Sequence, residues 1–425
     1  MKCNLAIAIA IALGTSALTV PISVAAASDS EEIRLLRQQM EELQRKLEAL
    51  ESRTEHVESK TDEIASKATA KDAKDKALHK AVQVYGQVRV SVDNQSNDFT
   101  DDGTAINSNA SRLGVQGSIP TTIGDTDLFY RAEVRYETTD FVNGGPGTTT
   151  GTRQLEFREG FVGLKNKKYG KLRLGRLVTE YKKTLTTIDP WNDNTPQSRA
   201  GGRQGSSELH SSYFNNSADY VTPSFLGGLS GSVWYATLLD NSSKPLQNTG
   251  TLKNYEGGQA GGVGVKYKHG PIFLAADYID MDADNIKKAG LENDSGWQVA
   301  ARYQCSSFSI SAFHEDVEDL GLGKNTYVNG IYKLGRTRLI AAYGMNRDGA
   351  VYKDEDYDNW SLGVKYGLTD RSELLAAFNR RSNNDTNQDF DTVTVGINAK
   401  FGYPPKSKKE KTAMTNEPSC AAGLF

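Results

Sequence analysis

The chain has 425 residues, 37% of them hydrophobic and 24% charged, with a formal net charge of -3 and a mean hydropathy of -0.54. Such a composition excludes a bundle of membrane-spanning helices, and three cysteines exclude a disulfide-framed scaffold. The net charge supplies no basic footprint for nucleic acid, and the lysine-rich stretch near 406–411 is short and lacks interleaved aromatics.

Met1-Lys2 followed by an apolar run from Leu5 to Leu13 and the small residues Ala25-Ala26-Ala27 predicts a secretory signal over 1–27. A heptad pattern follows over 28–66. Leu36, Leu43, Leu50, Val57 and Ile64 occupy a, and Ile33, Met40, Leu47, Thr54 and Thr61 occupy d. Charged flanks and apolar a and d positions predict a self-associating periplasmic coiled coil of roughly 50 Å. Its weakening to Thr at d predicts a looser second half. Residues 67–81, rich in Lys, Ala and Asp, read as a solvated linker.

From Val82 onwards the pattern changes to a period of two. Val82, Val84, Val88, Val90 and Val92 alternate with Gln83, Gln87, Arg89 and Ser91. Leu128, Tyr130, Ala132, Val134 and Tyr136 alternate with Phe129, Arg131, Glu133, Arg135 and Glu137. The last such segment is 391–401, where Val393, Val395, Ile397, Ala399 and Phe401 share one face. Strands are predicted at 82–92, 111–119, 128–138, 155–165, 170–177, 211–223, 229–239 and 261–268. Eight more fall at 271–281, 296–304, 307–315, 325–333, 336–346, 359–367, 372–380 and 391–401.

Too little apolar sequence remains to cover so many apolar faces. Lipid outside and a polar, water-filled lumen inside would satisfy all of them, and charges at this density on a lipid face would cost several kcal/mol each. The connections alternate short and long, as in outer-membrane barrels with short periplasmic turns. Tyr136, Tyr235, Tyr278, Trp297 and Trp360 lie near strand ends, where amphipathic rings suit the lipid–water boundary. The fold class expected is an all-β transmembrane barrel of sixteen antiparallel strands, at 82–401, preceded by the coiled coil. Residues 402–425 read as a disordered periplasmic tail with no core to join. Cys305, at a predicted tight turn, and Cys420, in the tail, both fall on the periplasmic side, so a bridge between them stays open.

In order along the chain, Val84-Tyr-Gly-Gln-Val, Ser111-Arg-Leu-Gly-Val-Gln-Gly117, Arg158-Glu-Gly-Phe-Val-Gly-Leu-Lys165 and Gly170-Lys-Leu-Arg-Leu-Gly-Arg176 resemble strands of the general diffusion porins of Gram-negative bacteria. Asn215 to Gly231 and the terminal aromatic Phe401 extend the resemblance over about 320 residues. The early coiled coil and the continuation past Phe401 depart from the family pattern. The coiled coil is similar to that of some substrate-specific porins.

The resemblance implies a homotrimer in outer-membrane lipid and lipopolysaccharide, passing small hydrophilic solutes. It also implies that the longest loop, 178–210, folds inward and places carboxylates opposite an arginine ladder. Carried over by position, the ladder is Arg112, Arg158 and Arg203; Gln87 is a neutral rung that Arg89 compensates. The acidic side is Asp189 and Asp193, with Glu180 nearby, Lys182 and Lys183 diluting it, and Pro190 and Trp191 stiffening the loop. Arg131, Arg135, Arg173, Arg302 and Glu133 are expected to line the wider channel.

No catalytic residue, metal ligand set or cofactor is expected. The five histidines sit in no local nucleophile motif. Two alternatives to a general diffusion channel stay open: a substrate-specific channel for oligosaccharides or small carboxylates, and an envelope tether or adhesin. In the tether, the coiled coil would engage peptidoglycan or a periplasmic partner.

Overall fold

The computed structural model describes residue 45 and residues 81–98, 102–139, 155–199, 203–211, 213–237, 259–282, 295–349 and 355–402. The expected signal, coiled coil, linker and tail lie outside these residues, apart from Arg45 and Ala81, whose backbones are helical, and Gly402.

The described strands run in chain order. The first six are β1 (Gln83–Asn97), β2 (Gly103–Ser108), β3 (Arg112–Pro120), β4 (Thr126–Tyr136), β5 (Leu155–Asn166) and β6 (Gly170–Leu177). One helix, α1 (Glu180–Ile188), and a short 3-10 turn at Glu208–Ser211 separate them from the rest. Next come β7 (Phe214–Val221), β8 (Leu229–Thr237), β9 (Gln259–His269), β10 (Ile272–Asp282), β11 (Ser295–Gln304) and β12 (Phe308–Asp316). The last five are β13 (Lys324–Leu334), β14 (Thr337–Arg347), β15 (Tyr357–Thr369), β16 (Ser372–Asn383) and β17 (Gln388–Phe401). Each pairs antiparallel with its neighbours, and β1 pairs with β17 from Gly86↔Phe401 to Asn97↔Phe390, which closes the barrel.

The barrel has sixteen staves, because β2 and β3 are two parts of one. β2 lies against the outer half of β1 and β3 against its inner half. Between them Ala110 takes a left-handed backbone (φ 56°), and Ser111 Oγ accepts from the Arg89 amide at 3.0 Å. Sequence reading assigns 93–110 to a loop, yet most of it is strand. Asn94, Thr104, Asp93 and Asn107 satisfy one another across the hairpin, with Asn94 donating to Thr104 at 2.8 Å and Asn107 to Asp93 at 2.6 Å. A hairpin that rises beyond the apolar band needs no alternation, so its pattern is invisible in sequence.

Alternation sets the two faces. On β17, Val393, Val395 and Ile397 are 48%, 57% and 46% exposed on the outer surface, whereas Thr394 and Asn398 inside are 0% and 4% exposed. Closure also demands Gly86, because a Cβ there would overlap the Phe401 ring and approach the Arg112 carbonyl at 2.8 Å. Cys305, after β11, is wholly buried and disulfide-bonded, with its partner outside the described residues.

The lumen departs from the expected all-polar interior. Along β10–β16, Phe273, Ala275, Ala300, Phe313, Tyr327, Ile340, Ala342 and Ala377 are buried on the inner side and form one apolar cluster with Leu185, Ile188 and Trp191 of the loop after β6. Most of these strands therefore carry apolar residues on both faces, interspersed on the inner one with polar side chains such as Gln298, Ser311, Asn329 and Lys365. A second cluster joins Tyr181, Leu209 and Phe214 to Trp234, Ile279, Met281 and Leu320.

Arginine at Val395, mid-strand on the lipid face, is expected to destabilise the folded barrel by about 2–4 kcal/mol. Arginine at Val82, at the strand edge, should cost about 0–1 kcal/mol. Urea unfolding of the two variants from lipid vesicles measures the difference.

Candidate pore constriction

The segment after β6 turns into the barrel because its ends are capped and its faces find partners. Thr179 caps α1 by accepting from the Lys182 amide, and Glu180 sits in the first turn. Wall side chains then bond the loop along its length. Lys266 reaches the Glu180 carbonyl and carboxylate, both at 2.9 Å, and Gln298 donates to the Tyr181 carbonyl at 2.8 Å. Arg302 donates to the Thr187 carbonyl at 2.7 Å, Asn329 to that of Ile188 at 3.1 Å, and Lys365 to that of Pro190 at 2.7 Å. Arg302 is thus a loop anchor rather than a free channel-lining charge. Three of these bonds are made to carbonyls at the end of α1 or just beyond it, which its own ladder leaves without partners.

The outer part of the loop is held by a buried carboxylate. Glu315 accepts from Tyr181 at 2.7 Å, from the Ser207 amide at 2.9 Å and from Asn325 at 3.1 Å, and lies 2.9 Å from His210 Nε2. Sequence reading singles out neither Glu315 nor His210 for this role, since the partners come from distant segments.

Arg89, Arg112 and Arg158, from β1, β3 and β5, converge on one corner of the lumen. Asp193 at the loop tip pairs with Arg112 and with the loop's own Arg199, and lies 3.6 Å from Arg89. Arg89 also donates to the carbonyls of Asn192 and Asp193, at 2.9 and 3.2 Å. Glu133 completes the group, accepting from Arg158 and Tyr85, each at 2.9 Å, and lying 3.5 Å from Arg112. Burial opposes charge on Asp193, but Arg112, Arg199 and Arg89 hold its carboxyl well below the usual range. Gln87 is buried beside Arg112 and donates to the Ala110 carbonyl at 3.3 Å.

Two expected members of the constriction lie elsewhere. Asp189 is tucked beneath the loop, where it accepts from the Trp191 amide at 2.8 Å, from Ser198 at 3.0 Å and from Tyr327 at 3.2 Å. It braces the loop's turn and faces none of the ladder arginines. Arg203 lies over the Tyr357 ring of β15, 4.9 Å from its centroid. Both displacements follow from the path of the loop, which residue spacing does not encode.

Three further wall arginines are paired with acids. Arg131 bonds Glu159 at 2.9 Å, Arg135 bonds Glu137 at 3.0 Å, and Arg173 bonds Asp219 with two donors, one of them at 2.9 Å. Arg199, Glu159 and Asp219 are the members of this network that sequence reading does not single out. The first lies in the loop, and Glu159 breaks the alternation through a bulge at Glu133/Val134 that turns both Arg158 and Glu159 inward.

Asp193→Asn removes the carboxylate that three guanidinium groups share. The expected cost is about 3 kcal/mol or more, read as a lowered urea midpoint with the barrel's strand content intact. A pH response is expected from Glu208, which burial pushes up to about 7 against the opposing pull of Arg203. Its neutral form is favoured in the fold, so stability falls as pH rises from the usual carboxylate range through 7. Thermal unfolding between pH 5 and 8 should show that decline, and Glu208→Gln should remove it.

Three comparisons bear on this architecture. A family model described as Gram-negative porin matches residues 64–402. An outer membrane porin protein of Bordetella pertussis is 22% identical over 329 residues, covering 69% of this chain and 83% of that protein. An anion-selective porin from Comamonas acidovorans shares the fold with a TM-score of 0.55 at 18% identity, covering 76% of this chain and 99% of its own. OmpF of Salmonella typhi, in complex with daunomycin, gives a TM-score of 0.58 at 15% identity over the same shares. OmpT of Vibrio cholerae in its trimer form gives 0.51 at 18% identity, again covering 76% and 99%. With the family model spanning most of the chain and the barrel closed as described, this chain belongs to the Gram-negative porin family.

Proposed function

We propose that this outer-membrane porin is a homotrimeric, passive, water-filled channel for small hydrophilic solutes and ions, narrowed by its inserted third loop. The observation that carries the reading is the meeting of Asp193 with Arg89 and Arg112 inside the barrel, at the point where the loop crosses the lumen. Arginines grouped at a narrow, partly desolvated place raise the local concentration of anions and orient dipolar solutes. Four guanidinium groups, from Arg89, Arg112, Arg158 and Arg199, face two carboxylates there, from Asp193 and Glu133. The balance favours anions, the preference carried in the description of the Comamonas porin.

Trimerisation is supported by the similar barrel in trimer form, and contact with lipid and lipopolysaccharide by the apolar outer face. Solute passage needs no chemical step: the wall supplies width and charge alone.

Single-channel recording of the purified protein in a planar bilayer under a salt gradient tests this reading. Conductance steps in groups of three, with a reversal potential on the anion side, are expected. Arg112→Ala with Arg158→Ala should move that potential toward cations. A folded trimer that carries no current would defeat the channel reading and leave the envelope tether, in which the coiled coil engages peptidoglycan or a periplasmic partner.

A further inference from the structure

One part of the lumen is neither filled by the loop nor absorbed by the constriction. A cavity of about 590 Å³ lies between the start of α1 and the inner faces of β3–β6. Its lining is both aromatic and cationic. Phe129 of β4 and Phe161 of β5 point into it as an edge-to-face pair, 5.5 Å between centroids and 69° between planes. Gly163, directly opposite Phe129, leaves the room for that ring, since a Cβ there would approach it at 2.8 Å. Lys165 Nζ stands 5.6 Å from the Phe129 centroid, and the Arg131 and Arg173 guanidinium groups 5.9 and 5.2 Å from that of Phe161.

The acids in this cavity are already engaged. Glu159 holds Arg131 at 2.9 Å with Arg173 at 3.8 Å, and Glu180 holds Lys183 at 2.6 Å and Lys266 at 2.9 Å. At the mouth two lysines stand directly opposite each other across β5 and β6, Lys165↔Lys171. Like charges in that register are ordinarily destabilising. Lys165 has only Asp127 at 3.7 Å to offset it, and Lys171 makes no ion pair among the described residues. Lys167 and Lys168 extend the basic rim through the adjoining turn.

We propose that this cavity is a binding station for small aromatic carboxylates, with the carboxylate on the Lys165–Lys171 pair and the ring against Phe129 and Phe161. An anion between the lysines relieves their repulsion through charge-assisted hydrogen bonds, and a planar ring adds a third aromatic partner to an existing pair. A neutral sugar fits less well, because the cations Arg131, Lys165, Lys171, Arg173 and Lys183 outnumber the acids Asp127, Glu159 and Glu180 in the lining. The station rests on the channel reading only for the solute's access to the cavity.

Benzoate and acetate, added to the full-length protein in a planar bilayer, give the test. Benzoate is expected to interrupt chloride current at a lower concentration than acetate, more effectively from the side of the short turns. Phe161→Leu should weaken the benzoate effect about fivefold. Lys165→Gln combined with Lys171→Gln should weaken it about tenfold. Chloride current shows that each variant barrel is open. Benzoate acting no better than acetate, or unchanged block in both variants, overturns the station while the channel stands. If the folded protein carries no current the channel reading falls instead, and equilibrium dialysis of benzoate against it in detergent decides the station. Saturable binding lost in the double lysine variant supports the proposal, and no saturable binding overturns it.

Discussion

Everything in this protein depends on the requirement that a backbone in hydrocarbon satisfy its own hydrogen bonds. No water is available there, so an open sheet edge is excluded and the first and last strands must meet. They do so through a long register from Gly86↔Phe401 to Asn97↔Phe390. The glycine at one end of that register is part of the same constraint, since the terminal aromatic ring covers it from the outside. Once the sheet is closed, lipid dictates the chemistry of every outward residue and leaves the inward ones to be chosen for other purposes.

Those inward residues divide the lumen into two unlike halves. Along β10–β16 the wall mixes apolar and polar side chains, and its apolar part serves as a seat for Leu185, Ile188 and Trp191 of the inserted loop. Along β1–β7 it is dense in charge and stays open toward the cavity beneath α1. The loop therefore gives the barrel a core on one side only. Its anchors are of two kinds: wall side chains donate to loop carbonyls, and loop side chains such as Tyr181, Asp189, Asp193 and His210 bond the wall in turn.

The charged half is a network rather than a bare ladder of arginines. Asp193 and Glu133 tie together side chains from β1, β3, β4, β5 and the loop, while Glu159 and Asp219 serve Arg131 and Arg173 lower on the wall. Pairing keeps these long side chains in fixed positions, which a set of mutually repelling guanidinium groups would not do. After this mutual neutralisation, cations still outnumber acids around Asp193 and at the Lys165–Lys171 rim.

The amino-acid sequence by itself determined the strands, their order and the outward phase of each, because each depends on local periodicity; that the longest loop turns inward was an expectation from the resemblance to porins. It also determined that Arg89, Arg112, Arg131, Arg158 and Arg173 face inward, since a period of two leaves a charge beside lipid no alternative. Only the tertiary structure decided which of these meet. Asp193 reaches the arginine corner while Asp189, four residues earlier, braces the loop against Tyr327, and Arg203 stands over Tyr357 instead of beside Arg112. The apolar seat for the loop and the aromatic cavity beneath it were hidden for one physical reason. Each is made by residues from several staves, and what they face is set by closure of the barrel and the path of the loop, not by the neighbours along the chain.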